Sequence, residues 1–475
     1  MKIKSIIRLW TLTIALFAVG CTPAIIEKNA NDRTPGSYGA STDTLNDATK
    51  IWKEYFSDPF LLALIDTALI NNRELHIAIQ EIEIARSEVM SRKAEYLPFV
   101  GVGAGAGTEK VGRYTSQGAN DANTDIRSGQ AFPDPLPDFQ FGAYATWEID
   151  VWKKLRNAKK AAVARYLGSI EGQNFMVTNL VAEIANSYYE LLALDSQLEI
   201  LKQNIAIQSN ALAIVRLQKE SVRVTELAVR RFEAQVFNTR STQFSIEQRI
   251  AETENQINFL VGRFPQRIER NSQNFTNMLP PNIFAGVPAQ LLENRPDVRQ
   301  AEFELAASKL DIKVAKAEFY PSIGINAGVG FRAFDPSYLI KTPESLIYSL
   351  TGDLMAPIIN RKAIKALYFT ASAKQLQAVY NYEQTILNAY MEVANQISNI
   401  NNLDKSYDLK AQEVNALKES IEISNNLFSS ARADYMEVLL TQRDALESTF
   451  ELIETKKEQM HAVVNIYQAL GGGWR

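Results

Sequence analysis

The sequence predicts a mainly α-helical chain that also carries membrane-type β-structure, arranged as duplicated long-helix hairpins with four short strands. Three observations lead there. The stretch DFQFGAYATWEIDVW from Asp138 alternates apolar Phe139, Phe141, Ala143, Ala145 and Trp147 with polar or small Gln140, Gly142, Tyr144, Thr146 and Glu148. That is a period of two, the pattern of a strand with one greasy and one wet face. From Lys153 to about Gln218 there is no proline, and Val177, Leu180, Ile184, Tyr188, Leu191, Leu194, Leu198, Leu201 and Ile205 step by three and four. A helix of that extent is ~95 Å long, and its near-heptad seam calls for coiled-coil packing against neighbours. The whole plan then recurs further along the chain.

In chain order, the first twenty residues place Lys2, Lys4 and Arg8 ahead of an apolar run from Leu9 to Gly20. Such a run is too short to span a bilayer and has the form of a secretory signal. Phe17 to Cys21 resembles the bacterial lipobox, with Ala18 where leucine is usual, so a covalent lipid is expected on Cys21, the only cysteine. Residues 22–50 are polar and read as a tether. Apolar residues at helical spacing predict one long helix from Asp58 to Tyr96, ending before Pro98.

The strands follow in two pairs. Phe99–Thr108 sets Val100, Val102, Ala104 and Ala106 against four glycines, and the stretch from Asp138 to Trp152 completes the first pair. PSIGINAGVGFR from Pro321 and SLIYSLTGDLM from Ser345 form the second. Each is about ten residues, the length a tilted membrane strand needs. Proline-containing loops, roughly 109–138 and 333–344, join the members of each pair. After the long helix, a break at KESVRVTE (219–226) precedes a return helix to Gly262.

The repeat is visible in AEYLP (94–98) against AEFYP (317–321), LRNAKKAA (155–162) against NRKAIKAL (360–367), and NSYYE (186–190) against NAYME (388–392). TELAVRRFEAQ from Thr225 is paired with MEVLLTQRDAL from Met436, and FLVG (259–262) with ALGG (469–472). The expected organisation is a signal peptide at 1–20, a lipid-anchored tether at 21–50, a first structural repeat at 51–265, a linker at 266–288 and a second repeat at 289–475.

Four strands are too few to close a membrane barrel, and an open sheet in lipid leaves edge N–H and C=O groups unpaired at a cost of several kcal/mol each. Closure therefore calls for other chains. A homotrimer supplies three times four strands, a 12-stranded barrel with its greasy face to lipid and its wet face to a bore.

Composition points away from chemistry. Two histidines, His76 and His461, have no partner at ligand spacing, and eight methionines form no cluster for soft metals. GVGAGAG from Gly101 has no Lys-Ser or Lys-Thr after it, so it reads as strand rather than as a phosphate loop. A net charge of -4 over the whole chain draws neither nucleic acid nor an acidic membrane surface. Glu148 and Asp150 are assigned to the bore face of the second strand.

With the strands, helices and duplication in place, the chain from about residue 52 onward resembles the TolC-type outer membrane efflux proteins, and among them the lipid-anchored members that serve tripartite pumps. The most specific matches are VPAQLLENRPDVRQAEFELAASKLDIKVAKAEFYPSI from Val287, where Arg295, Pro296 and Asp297 fit the family's Arg-Pro-Asp signature, and the closing ALGGGW. The resemblance implies a trimer with an outer-membrane β-barrel and a periplasmic α-barrel, no catalysis, and no cofactor beyond the lipid on Cys21. It also implies partnership with a periplasmic adaptor (membrane fusion) protein, a proton-driven inner membrane transporter and outer membrane lipid. Thr22 is not the aspartate that retains some lipoproteins at the inner membrane, which favours the outer membrane.

The signature itself reads as structural: Asn294 as a helix cap, Pro296 in the first turn, Asp297 at the positive helix end. In the family the channel closes where paired helices bend inward and acids ring the opening. The matching positions are Glu226 and Glu437, with Arg432 and Asp434 in the same turn as Glu437, and threefold repetition would make such carboxylates raise one another's pKa and bind cations. Leu440 stands where a second acid is usual. The function expected is the exit duct of a tripartite efflux system. A type I protein-secretion duct and a non-channel periplasmic coiled-coil scaffold are the alternatives.

Overall fold

The structure, a computed structural model, describes residues 24, 27–38, 44–273, 275–281, 283–357, 361–430 and 432–475. Cys21 and the signal segment lie outside the described residues. Two compact units are present among the described residues, one made of residues 83–167 and 303–380 with the tether up to residue 29, and the other of 30–82, 168–302 and 381–475.

The first unit contains one four-stranded antiparallel sheet of strands β1 (Phe99–Glu109), β2 (Leu136–Glu148), β3 (Ser322–Ala333) and β4 (Leu346–Met355), in the order β1-β2-β3-β4. Its register decides what the alternation means. Val102, Ala143 and Val329 stand opposite one another and reach Tyr348, while Ala104, Phe141, Phe331 and Leu346 form the next such row. Residues directly opposite share a face, so all four apolar sets fall on one side of the sheet. The other side collects Gln140, Thr146, Asn326, Arg332, Thr351 and Asp353, and there Arg332 pairs with Asp138 at 2.8 Å. Glycines on that polar face allow close approach: Gly142 and Gly330 are opposite, and a Cβ on Gly142 would lie 2.6 Å from the Val329 carbonyl oxygen.

Two expectations fail here. The second strand stops at Glu148 rather than Trp152. Asp150 is not a solvated bore residue: it is 7% exposed and its carboxylate accepts from the backbone N–H groups of Leu155 (3.1 Å) and Arg156 (3.0 Å). It satisfies orphan donors in the first turn of α3 (Lys154–Glu220), the role of an N-terminal cap. The loop after β1 also has structure of its own, a short helix Ser116–Asp121 and a small hairpin of Asp125–Arg127 with Gln130–Ala131.

The single helix expected from Asp58 to Tyr96 is two, α1 (Pro59–Asn71) and α2 (Arg73–Glu95). Asn72 divides them. Its Nδ2 donates to the Leu260 carbonyl at 2.8 Å while its Oδ1 accepts from the Leu75 N–H at 2.9 Å, so it closes one helix and caps the next. Gly262, at φ +75, makes room: a Cβ there would meet the Asn71 carbonyl oxygen at 2.3 Å.

The remaining helices are α4 (Glu226–Leu260), α5 (Pro296–Ala317), α6 (Lys362–Ser429) and α7 (Tyr435–Ala469). The core of the second unit gathers Leu61 and Ile65 of α1, Ile184, Tyr188 and Leu191 of α3, Ile257 of α4, and Val464 and Tyr467 of α7. Most of the predicted α3 seam is thus buried. The segment between the repeats is pinned by Arg270, which reaches Asp195 at 2.6 Å and also pairs with Glu254, and by Lys456, which donates to the Met278 carbonyl at 3.0 Å.

Candidate functional site

The hairpin ends of the second unit carry the predicted gate residues. Both turns share one backbone hydrogen bond: the Arg223 N–H bonds the Gln218 carbonyl and the Arg432 N–H bonds the Leu427 carbonyl, each reaching five residues back. Thr225 and Asp434 follow in extended conformation as the N-caps of α4 and α7. The two turns therefore superpose with an offset of 209 residues (432 minus 223). The sequence pairing of Thr225 with Met436 is two residues out of step.

The consequence concerns the glutamates. Glu226 is the first residue of α4, whereas Glu437 is the third of α7, and Tyr435 occupies the place that corresponds to Glu226. Two residues along a helix is about 200° of rotation, so Glu226 and Glu437 do not present equivalent faces. Their partners differ as well. Glu226 pairs with Lys219 across the hairpin and with Arg230 at 2.8 Å on its own helix. Arg230 also reaches Glu233 at 3.0 Å, and Glu233 pairs with Arg216 at 2.6 Å. The hydrogen bond from Lys219, with Arg230 adding, holds the exposed Glu226 carboxyl below the usual glutamate range. Within one chain its surroundings thus act opposite to the expected mutual repulsion. The i to i+4 pair with Arg230 was legible in the sequence; the bonds across the turn depend on how α3 meets α4.

Glu437 is exposed, and among the described residues no cation lies within ion-pair distance of it. Arg432 and Asp434 are also exposed, and Asp434 makes no side-chain capping bond. The two hairpins meet through an apolar contact instead. Val215, Ala228, Val229 and Phe232 are buried together, and Tyr435 and Leu439 of α7 pack against them. Val222, at the turn of the first hairpin, is 91% exposed at φ +55, a conformation β-branched residues rarely adopt.

The Arg-Pro-Asp signature lies elsewhere in this unit and is largely enclosed. Arg295 is 5% exposed; it grips Asp297 at 3.0 and 2.7 Å, Glu392 at 2.6 Å and the Ala469 carbonyl at 2.9 Å. Burial opposes its charge, but Asp297 and Glu392 outweigh that and raise its pKa above the ordinary value. Pro296 opens α5 as expected. Asn294 does not cap it: it ends the short helix Leu291–Asn294, and its Oδ1 accepts from Arg475 at 3.0 Å. Gly471, at φ +90, passes so close to the Asn294 carbonyl that a Cβ would lie 2.6 Å away. The two stretches most specific to the resemblance are thus in contact with each other.

The tether is ordered where it is described. In the first unit Tyr368 of α6 donates to the Ala24 carbonyl at 2.5 Å, and Gln375 exchanges hydrogen bonds with the Lys28 backbone at 2.7 and 3.3 Å. In the second, the Asn31 N–H donates to Glu383 at 2.9 Å and Tyr38 stacks on Tyr390. Among the described residues no group of three or more His, Cys, Asp or Glu could hold a metal ion. His461 is half-buried with Nε2 3.0 Å from the Asn186 carbonyl, and His76 is exposed.

Comparison with known proteins supports the same architecture. A family model described as "Outer membrane efflux protein" matches residues 64–263 and 287–472. The chain is 26% identical to the pyoverdine export outer membrane protein OpmQ of Pseudomonas aeruginosa, over 97% of its own length and 95% of the relative's. It is 28% identical to the toluene efflux pump outer membrane protein TtgI of Pseudomonas putida, covering 93% and 92%. It is 25% identical to the cation efflux system protein CusC of Escherichia coli K12, covering 98% and 99%. Among solved structures, a membrane protein from Pseudomonas aeruginosa shares the fold with a TM-score of 0.84 at 24% identity, covering 95% of this chain and 100% of the other. The open MtrE channel of Neisseria gonorrhoeae does so with 0.83 at 21%, covering 96% and 99%. With strand register, hairpin pairs and signature contacts all in place, and the family model spanning both repeats, the chain belongs to the outer membrane efflux protein family.

Proposed function

We propose that this chain is the passive exit duct of a tripartite efflux system, that three copies close its wall, and that it is lipid-anchored through Cys21. The sheet carries the argument. It has one continuous apolar face and ends in two edge strands, β1 and β4, with no partner beyond them among the described residues. Such edges are tolerable in lipid only when another copy pairs with them. A coiled-coil scaffold would have no use for that face, and the relatives are named for efflux or export of small molecules and ions rather than proteins.

The relatives' names also bear on cargo. Pyoverdine, toluene and cations differ widely, yet their ducts share this chain's architecture. Selection therefore belongs to the inner membrane transporter, and the duct performs no chemistry. A periplasmic adaptor favours the open hairpin ends by binding them more tightly than the closed ones.

At the gate, the geometry divides the roles. Glu437, with no ion pair among the described residues, is the acid that threefold repetition would turn into a cation-binding ring, with Arg432 and Asp434 beside it. Glu226 is a clamp that ties the end of α3 to α4 through Lys219. For the anchor, Tyr368 of α6 holds the described part of the tether at the Ala24 carbonyl.

Single-channel recording in planar bilayers tests the duct. The purified chain should give stable conductance, with cation block weakened in Glu437→Ala. No conductance would end the duct reading, and unchanged block would remove Glu437 from the gate. Mass spectrometry of the mature chain and of Cys21→Ser tests the anchor: unmodified Cys21 refutes it.

A further inference from the structure

The helices that adjoin the sheet differ in charge. Those entering strands are balanced: residues 83–95 hold three acids and three bases, and so do residues 303–318. Those leaving strands are not. Residues 153–167 hold six bases and no acid, and residues 361–380 hold four bases and no acid. Six plus four puts ten positive charges at these two helix starts, in a chain whose net charge is -4. Cations in the first turn of a helix oppose its macrodipole, so the dipole does not account for Lys154, Arg156, Lys362 or Lys365.

Internal pairing accounts for only some. Lys154 meets Glu148 at 2.7 Å, Arg156 meets Asp150 at 3.1 Å, and Arg165 meets Asp311 at 2.5 Å. Among the described residues, no carboxylate lies within ion-pair distance of Lys153, Lys159, Lys160, Lys362 or Lys365.

The same end of the sheet carries a band of aromatic residues. Trp152 stacks on Tyr320 at 4.7 Å and donates to the Pro321 carbonyl, while Trp147 donates to the Tyr96 carbonyl; Trp147, Trp152 and Phe99 are 36%, 44% and 62% exposed. Tryptophan and tyrosine concentrate at the level of lipid headgroups because one end of each is apolar and the other is polar. Unpaired lysines beyond such a band lie where phosphodiester headgroups end.

We propose that the starts of α3 and α6 form a basic collar that binds anionic glycerophospholipid headgroups of the leaflet on the helical side of the sheet, with Lys159, Lys160, Lys362 and Lys365 as its principal contacts. This rests on the reading that the sheet spans a membrane. The attraction is electrostatic, so it weakens as salt rises, and it supplies a second membrane signal beside an acyl chain.

The test is competition. The full chain in uncharged detergent is offered equal amounts of phosphatidylglycerol and phosphatidylcholine with identical acyl chains, and native mass spectrometry counts what is retained. Wild type should keep severalfold more phosphatidylglycerol, and raised salt should erase the preference. K159Q/K160Q/K362Q/K365Q should bring the ratio to near one, while the matching four-arginine variant should keep it. Indiscriminate retention by wild type, or a glutamine variant that keeps the preference, overturns the collar. A stronger preference for lipid A, the phosphorylated glycolipid, overturns the assignment to glycerophospholipid. Bilayer conductance separates the two readings: a chain that conducts but holds lipids indiscriminately loses only the collar, and one that never conducts loses the duct.

Discussion

Arg295 donates to the main-chain carbonyl of Ala469 at 2.9 Å, across 174 residues of sequence, and thereby ties the start of the second repeat to the end of its last helix. The same guanidinium is paired with Asp297 and Glu392. Removing it leaves a carboxylate and a carbonyl without their donor in a largely closed site. Arg295→Ala should therefore cost about 3–5 kcal/mol, seen as a lower thermal transition by circular dichroism. Arg295→Lys should recover only part of it, since an ammonium does not reproduce the two parallel bonds to Asp297.

The charge ladder at the first hairpin end should respond to acid. Glu226 and Glu233 both have lowered pKa values, the first chiefly through Lys219 and the second chiefly through Arg216. A lowered folded pKa stabilises above the unfolded glutamate value of about 4.3, and that stability is lost as pH falls through the folded value. Amide protection of residues 216–233 in hydrogen exchange, corrected for intrinsic rate, should hold from neutral pH to that point and then decline. In E226Q/E233Q it should be lower at pH 7 and nearly flat below it.

Asn72 is the joint between α1 and α2. Asn72→Ala removes a cap worth ~1 kcal/mol and leaves the Leu260 carbonyl without a buried partner, a further loss of about 1–3 kcal/mol. Gly262→Ala strikes the same joint from the other side, because its backbone is left-handed and a Cβ would collide with the Asn71 carbonyl. Both should lower the thermal transition, and each should leave helix content at low temperature nearly unchanged.

The sheet offers a contrast between glycines. Gly142→Val places atoms against the Val329 carbonyl and Gly330, where no side chain can step aside, while a Cβ on Gly107 meets nothing within 4 Å. On the proposal that three copies close the wall, wild type should run as a heat-sensitive oligomer on gels without boiling, Gly142→Val should abolish that band, and Gly107→Ala should keep it. An intact oligomer in Gly142→Val would refute the close packing of β2 on β3.

Much of the fold was open to inspection in the sequence because its signals are local. The alternation from Phe139 to Trp147, the proline-free run of α3 and the turn after Glu220 each depend on neighbours a few residues apart. The helix break at Asn72 was hidden because the apolar spacing continues through it, and only the Leu260 carbonyl reveals why the chain turns. The candidate gate was legible in composition but not in geometry. Glu226 and Glu437 look alike in their motifs, yet cap positions set them two residues apart in phase.

The sequence by itself determined where the four long strands and the long helices lie, though not where each ends, that the unit is doubled, and that one face of the sheet is apolar, since these follow from the chain's own periodicity. Tertiary structure alone decided that Asp150 caps a helix rather than lining a bore, that Arg295 meets the closing residues, and that Glu226 is ion-paired while Glu437, among the described residues, is not. The physical reason is range: periodicity is set by covalent neighbours, whereas a charge takes its partner from whatever chain packing brings within a few ångströms.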